Sequence, residues 1–265
     1  MDNKEIREFI YTIFEGYKKR KNEQKLYNID SKIPENIITS YYFYTEKTEF
    51  KEIVENFKQK YIYNESRVER NITMEEQAGV SEIYDYINNF NFNKEKFNIF
   101  VQSIVIHQKL YSKCNETSFG GKLRDSQAYL FDTNIEVLPP KDAIKFFQKF
   151  LGDSDKIMNE LEDKNIFEYI NACIKITTEL IKAQPFSDGN KRTFRGLLNL
   201  MFKGRGLPPV YINVNERVEY KEALLKAMIN NDYTSLNKFY YYKICDSIYE
   251  LDIEPMINKK KINQR

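Results

Sequence analysis

The sequence predicts a mainly helical protein, and three observations carry that prediction. Only nine glycines and seven prolines punctuate 265 residues, too few for the frequent turns of an all-β chain. Apolar residues recur three and four positions apart over most of the length, the spacing that puts them on one helical face. Alternation of apolar and polar positions is weak and confined to one short stretch. With 42% apolar and 30% charged residues, the chain has enough apolar material for a core and no bias toward disorder. At this length one main domain with, at most, a small appendage is expected.

Taken in order, residues 4–18 present Ile6, Phe9, Ile10, Ile13, Phe14 and Tyr17 at helical spacing, and the charged stretch 18–25 that follows reads as solvated. Residues 31–44 hold Pro34 and a Tyr41-Tyr42-Phe43-Tyr44 run, whose pattern fits a short strand and a helix equally. From 48 to 61 the periodicity returns through Phe50, Ile53, Val54 and Phe57. Thr73-Met74-Glu75-Glu76 has capping-box spacing, which predicts a helix from there to about Phe90. The next is expected from about Asn93 to Ser112, burying Phe97, Phe100, Val101, Ile104, Val105 and Leu110. Residues 122–140 break the period, and the weak alternation of 127–138 around Asp132-Thr133-Asn134 predicts a small hairpin. Pro139-Pro140 opens a helix to about Leu151. Ile166, Ile170, Cys173, Ile174, Thr177, Leu180 and Ile181 mark a long buried helix that Pro185 ends. Residues 193–203 are helical again through Phe194, Leu197, Leu198 and Met201, and a last pair covers about 216–230 and 234–249. The basic tail around Asn258-Lys259-Lys260-Lys261 is expected to fray.

A net charge of +2 supplies no global field to attract nucleic acid or an anionic membrane. No apolar run approaches the ~20 residues of a membrane helix, and Met1-Asp2-Asn3-Lys4-Glu5 lacks the apolar core of a signal peptide. A cytoplasmic protein is the expectation, with export by a signal-free route left open. Cys114, Cys173 and Cys245 are far apart and odd in number, which fits reduced structural thiols better than a disulfide frame or a zinc site. The single histidine, His107, lies in an apolar helical stretch, where a satisfied core residue is the preferred reading and a multi-histidine metal site is excluded.

The informative segment is Gln184-Pro185-Phe186-Ser187-Asp188-Gly189-Asn190-Lys191-Arg192-Thr193-Phe194-Arg195, between two apolar helices. Pro185 ends the first helix, Gly189 permits a left-handed turn, and the second helix begins at about Lys191, so the amides at its start point outward as an anion site. Arg192 and Arg195 are three apart and share a face. A solvated charged turn is the plainer alternative. A carboxylate, an amide and two guanidiniums around one glycine between buried helices favour a site for a magnesium polyphosphate.

These residues resemble the motif of the Fic/Doc family of protein-modifying enzymes, His-x-Phe-x-Asp/Glu-Gly-Asn-Gly/Lys-Arg-x-x-Arg. Phe186, Asp188, Gly189, Asn190, Lys191, Arg192 and Arg195 match in register. Residues 106–111 and 121–124 resemble the family's upstream helix and Gly-x-x-Arg turn, 127–138 its β-hairpin flap and 220–233 its closing helices, so about 95–245 are covered. The resemblance implies a Fic-fold helical bundle with a small β-hairpin flap. It divides the chain into an N-terminal helical region over 1–94, a Fic core over 95–255 and a basic tail over 256–265. It implies a site that binds ATP with Mg²⁺ and transfers AMP to a Ser, Thr or Tyr hydroxyl of a target protein, docked on the flap as an added strand. Carried over by position, Asp188 would hold the Mg²⁺, Asn190 and the turn amides of Gly189 and Lys191 the α-phosphate region, and Arg192 and Arg195 the outer phosphates. Phe186 would anchor the loop. An antitoxin and a homo-oligomer are the further partners the resemblance leaves open.

Three departures qualify this. Gln184 stands where the motif has its general-base histidine, and glutamine cannot take up a proton near neutral pH. Losing a general base costs about 10²–10⁴ in rate, roughly 3–5 kcal/mol, while nucleotide binding rests on other residues. A natural pseudoenzyme, an enzyme of altered chemistry and a deliberately inactivated variant all fit. Lys191 stands where many AMP-transferring members have glycine, and the Doc branch, which phosphorylates its target, has lysine there, so phosphoryl transfer is an alternative. Residues 64–71 resemble the family's inhibitory helix, Ser/Thr-x-x-x-Glu-Gly/Asn, although Ser66 precedes Glu69 by three and Arg70 replaces the small residue. The resemblance implies that Glu69 pairs with Arg195 and obstructs the outermost phosphate.

Overall fold

The computed structural model describes residues 51–70, 72–114, 119–130, 137–164 and 166–251. The expectations for 4–18, 18–25 and 31–44, for the centre of the hairpin at 131–136 and for the basic tail lie outside the described residues.

Helix α1 (Lys51–Glu65) buries Phe57, Tyr61 and Ile62, and its last turn also buries Asn64 and Glu65. Buried polar groups need partners, and these two find them far along the chain, accepting from the amides of Val214 and Ile212, each at 3.0 Å. Helix α2 (Met74–Asn89) begins at the expected capping box: Thr73 Oγ1 accepts from the Glu76 amide, and Glu76 Oε2 accepts from the Thr73 amide, both at 3.2 Å.

Helix α3 (Ile99–Leu110) starts later than its periodicity suggests. Residues 91–95 form their own turn, with the amides of Lys94 and Glu95 donating to the Asn91 carbonyl, and Phe90, Phe92 and Phe97 pack edge-on and stacked beside it. Asn98 then caps α3, accepting from the Val101 amide at 3.1 Å. Val101, expected in the core, is exposed.

Helix α4 (Pro140–Glu162) runs on past Leu151 and through Gly152, and its later turns bury Ser154 and Leu161. Helices α5 (Ile166–Ala183) and α6 (Asn190–Gly204) form the centre, with every residue of α6 from Arg192 to Phe202 buried. A helix covered on all sides must be wrapped by others, and α6 packs against α5, α3 and α2. A 3₁₀ turn (Val214–Glu216) leads into α7 (Arg217–Asn230), and α8 (Thr234–Glu250) closes the bundle against α5 and α7. One cluster of buried apolar side chains joins the eight helices of the described residues.

The fold is mainly helical, and the expected hairpin is not seen among the described residues. There, Leu123 makes a single antiparallel bridge with Phe186, and Gln127 Nε2 donates to the Val137 carbonyl at 3.3 Å. Cys173 and Cys245 are buried, Cys114 is half-buried, and all three are free thiols. Among the described residues no helix is long and apolar enough to cross a membrane.

Candidate functional site

The loop between α5 and α6 carries two left-handed residues, Gln184 (φ 50°) and Gly189 (φ 73°). The first is uncommon outside glycine and is held from several sides. Arg124, almost wholly buried, donates from Nε to the Gln184 carbonyl and from its two Nη atoms to the carbonyls of Ser126 and Leu138. Gln184 Nε2 donates to the Ile181 carbonyl at 2.6 Å, and Gln184 Oε1 accepts from Asn190 Nδ2 at 3.0 Å. Asn190 also bridges the loop by accepting from the Phe186 amide at 2.9 Å and donating to the Phe186 carbonyl at 2.7 Å.

Phe186 is the apolar anchor, fully buried and flanked by Phe147 and Phe194 at centroid distances of 5.6 and 6.0 Å. The His107 ring stacks on its face at 3.9 Å. His107 Nδ1 accepts from the Gly121 amide at 2.7 Å, so the proton sits on Nε2, which faces the Asp188 carbonyl at 3.0 Å. Burial pushes the imidazole down to about 4. His107 thus stands beneath the loop as a neutral brace.

Helix α6 opens one residue earlier than expected, at Asn190, with Gly189 as its cap residue. The side chains gathered at this end are paired with the segment that joins α1 to α2. Arg192 Nη1 donates to Glu76 Oε1 at 2.8 Å. Arg195, 3% exposed, donates from Nε to Glu65 Oε2 at 2.6 Å and from Nη1 to Glu69 Oε1, with the Tyr220 ring 5.8 Å away. Lys191 Nζ donates to Glu69 Oε2 at 2.8 Å. Burial alone would raise the Glu69 pKa, but Arg195 and Lys191 hold it below the ordinary value. Glu69 does not stand on a helix. Glu65 is the last residue of α1, and Ser66, Arg67 and Val68 curl back onto its final carbonyls.

Arg70 follows, donating to both carboxylate oxygens of Glu76 at 2.9 and 3.2 Å and to Asp188 Oδ2 at 3.1 Å. Asp188 Oδ1 accepts from the Gly189 amide at 2.7 Å, and Arg192 Nη2 stands 3.6 Å from Oδ2. Burial works to raise the Asp188 pKa, and the Arg192 charge, the Gly189 amide and Arg70 together hold it below the ordinary value.

A groove of about 550 Å³ lies over this end of α6, lined by Glu69, Gln184 and residues 187–192 on one side and by residues 127–130 on the other. Of the residues singled out from sequence, Gln184, Asp188, Gly189, Asn190, Lys191, Arg192 and Glu69 line the groove, while Arg195 lies beneath it. Sequence reasoning gave no site role to Glu65, Glu76, Arg70 or Arg124. The capping box explained Glu76 completely at the sequence level, and its distance of 116 positions from Arg192 hid the second role.

The donor set suits a polyphosphate: a lysine and the amide end of α6 at the groove, with two guanidiniums behind them. The fit for a divalent ion is poorer. Among the described residues no group of three or more metal-ligating side chains converges, and both oxygens of Asp188 already accept hydrogen bonds.

Residues 100–202 match the sequence profile of the Fic/DOC family. The protein adenylyltransferase Fic of Nematostella vectensis is 28% identical over 157 residues, 57% of this chain and 34% of the relative. That of Aedes aegypti is 28% identical over 155 residues, 56% of this chain and 28% of the relative. The chain therefore spans about a third of the length of these relatives. Among solved structures, Fic-1 (residues 134–508) of Caenorhabditis elegans superposes with a TM-score of 0.65 at 16% identity, over 83% of this chain and 69% of that one. A Fic-domain-containing signaling protein of Bacteroides thetaiotaomicron gives 0.65 at 14% identity, over 83% and 98%. These structures share the helical fold, and the stretch that matches the Fic/DOC profile contains the motif loop and α6 as far as Phe202.

Proposed function

We propose that the chain is a Fic-type protein adenylyltransferase held shut by its own carboxylates and impaired in the transfer step. The observation that carries the reading is the gathering of Asn190, Lys191 and Arg192 at the start of α6, around left-handed Gly189 and on one wall of a groove. Such an end offers outward amides and charged forks to an anion. ATP would lie with its phosphates over this turn, and a target segment would run along residues 127–130 opposite. In the reaction the target hydroxyl oxygen forms a bond to the α-phosphorus, pyrophosphate leaves, and the hydroxyl proton must go to an acceptor.

Gln184 is not that acceptor. An amide does not take a proton at neutral pH, and its Oε1 and Nε2 are already engaged with Asn190 and the Ile181 carbonyl. Glu69 and Glu76 meanwhile neutralise the cations that the outer phosphates would need. A divalent ion on Asp188 would have to compete with the Gly189 amide and Arg70 for its oxygens.

A second reading, a nucleotide-responsive regulator that acts on a partner without transferring AMP, is favoured by the hydrogen bonds of Gln184, which make it a brace of the loop. Calorimetric titration of ATP into the unchanged chain and into Glu69→Gly separates these ideas from no nucleotide function at all. Release of the paired cations should tighten ATP binding about tenfold, the effect of a little over 1 kcal/mol. Labelled-AMP transfer by Gln184→His combined with Glu69→Gly, and not by Glu69→Gly alone, supports the adenylyltransferase. Binding without transfer in the double variant supports the regulator, and no ATP binding in any form removes both.

A further inference from the structure

Arg70 stands against the Asp188 oxygen that the Gly189 amide leaves open to a cation. Its Nη2 reaches Asp188 Oδ2 at 3.1 Å, and its two Nη atoms grip Glu76 as a fork at 2.9 and 3.2 Å. The fork is fixed from the far side, because Glu76 also receives the Thr73 amide and Arg192 Nη1. Asp188 Oδ1 is turned to the Gly189 amide. A magnesium ion demands near-octahedral oxygen ligands at short range and keeps several waters, so on Asp188 Oδ2 it would compete with a guanidinium held by two carboxylates.

Arg70 borders the groove over α6 and also a second cavity of about 440 Å³ beyond the Arg70–Asp188 pair. Its side chain is half exposed, so an anion seated over the Gly189 turn meets its charge. A guanidinium carries a permanent positive charge in a planar fork that matches phosphate oxygens, and it is not removed by chelation.

We propose that Arg70 takes the place of the divalent cation at this site, so that the chain binds ATP as the free anion. The inference rests on the nucleotide reading above and names the form of nucleotide that the site accepts. It also gives the segment after α1 two opposite duties, with Glu69 withholding Arg195 while its neighbour Arg70 supplies charge beside Asp188.

ATP binding is measured by calorimetry in excess magnesium and in EDTA, for the unchanged chain and in a Glu69→Gln background that relieves the competing carboxylate. With Arg70 present, the two affinities should agree within about threefold; in Arg70→Ala, binding in EDTA should fall by about tenfold or more and return when magnesium is added. Arg70→Gln, which keeps the side chain's length, gives the same comparison if the alanine variant melts early. A magnesium requirement of about tenfold or more in the Arg70 chain overturns the proposal. So does magnesium-free binding that survives both substitutions, since it would then owe nothing to Arg70. Absence of ATP binding in every variant and both buffers is a different result, and it removes the nucleotide reading on which the proposal stands.

Discussion

Two carboxylates share the guanidinium of Arg195, and they are not equivalent. Glu65 is buried, bonded to Arg195 Nε at 2.6 Å and to the Ile212 amide at 3.0 Å. Glu69 is less enclosed, and its second oxygen meets Lys191. Removing one partner of a buried pair strands the other charge at a cost of about 3–5 kcal/mol, but Arg195 keeps Glu65 when Glu69 is lost. Arg195 likewise keeps Glu69 when Glu65 is lost, but Glu65→Ala also strips the Ile212 amide of its acceptor and should lower stability by about 3 kcal/mol, whereas Glu69→Ala should lower it by about 1 kcal/mol. Urea denaturation of the two variants reads the difference, and equal losses would refute the division of labour between holding Arg195 and blocking the groove. The motif residues themselves were legible in the sequence because they lie within twelve consecutive positions. Glu65, Arg70, Glu76 and Arg124 were not, since each acquires its partner through contacts 60 to 130 positions away.

At the scale of elements, the approach of α2 to the end of α3 is set by one missing side chain. A Cβ placed on Gly79 would lie 1.9 Å from the Leu110 carbonyl oxygen, and backbone cannot step aside as a flexible side chain can. Alanine is better than glycine in a helix by about 1 kcal/mol on propensity alone. Gly79→Ala should nevertheless lower the melting temperature, and a rise would mean that α2 and α3 are further apart than described. Thr73→Ala at the cap of α2 should cost about 1 kcal/mol. The hold on Arg192 should persist, because the Thr73 amide that steers the Glu76 carboxylate is backbone and survives the change. The cores of the helices were readable from their spacing, as was the capping box. Their ends were less so: the turn at 91–95 that delays α3 is built by local hydrogen bonds that periodicity does not register, and Gly152 in α4 costs only about 1 kcal/mol, which the burial of Ser154 and Leu161 beyond it offsets.

At the scale of the whole molecule, the helices that carry the site are clamped together by charges and by one neutral imidazole, and acid attacks both in sequence. His107 is the only histidine in the chain. Folded, its pKa is pushed down to about 4 by burial against an ordinary 6.5, so the unfolded chain takes up a proton that the folded chain refuses. Stability is therefore complete above pH 6.5 and declines as pH falls from there toward 4, by about 3 kcal/mol across that window. Glu69, Glu76 and Asp188 shift in the same direction on the pH scale for the opposite reason: their charged forms are favoured in the fold. Their contribution is present above the ordinary carboxylate range and is lost only as pH falls below it through their depressed values. The unfolding free energy should thus show a slope of about one proton between pH 6.5 and 4.5, steepening below pH 4. His107→Gln should flatten the upper window and leave the lower one in place, at the expense of stability at pH 7 through the lost stacking on Phe186. An unchanged upper slope in that variant would show that the imidazole is protonated in the fold. It would then repel Arg192 rather than brace the loop that Arg192 helps to build.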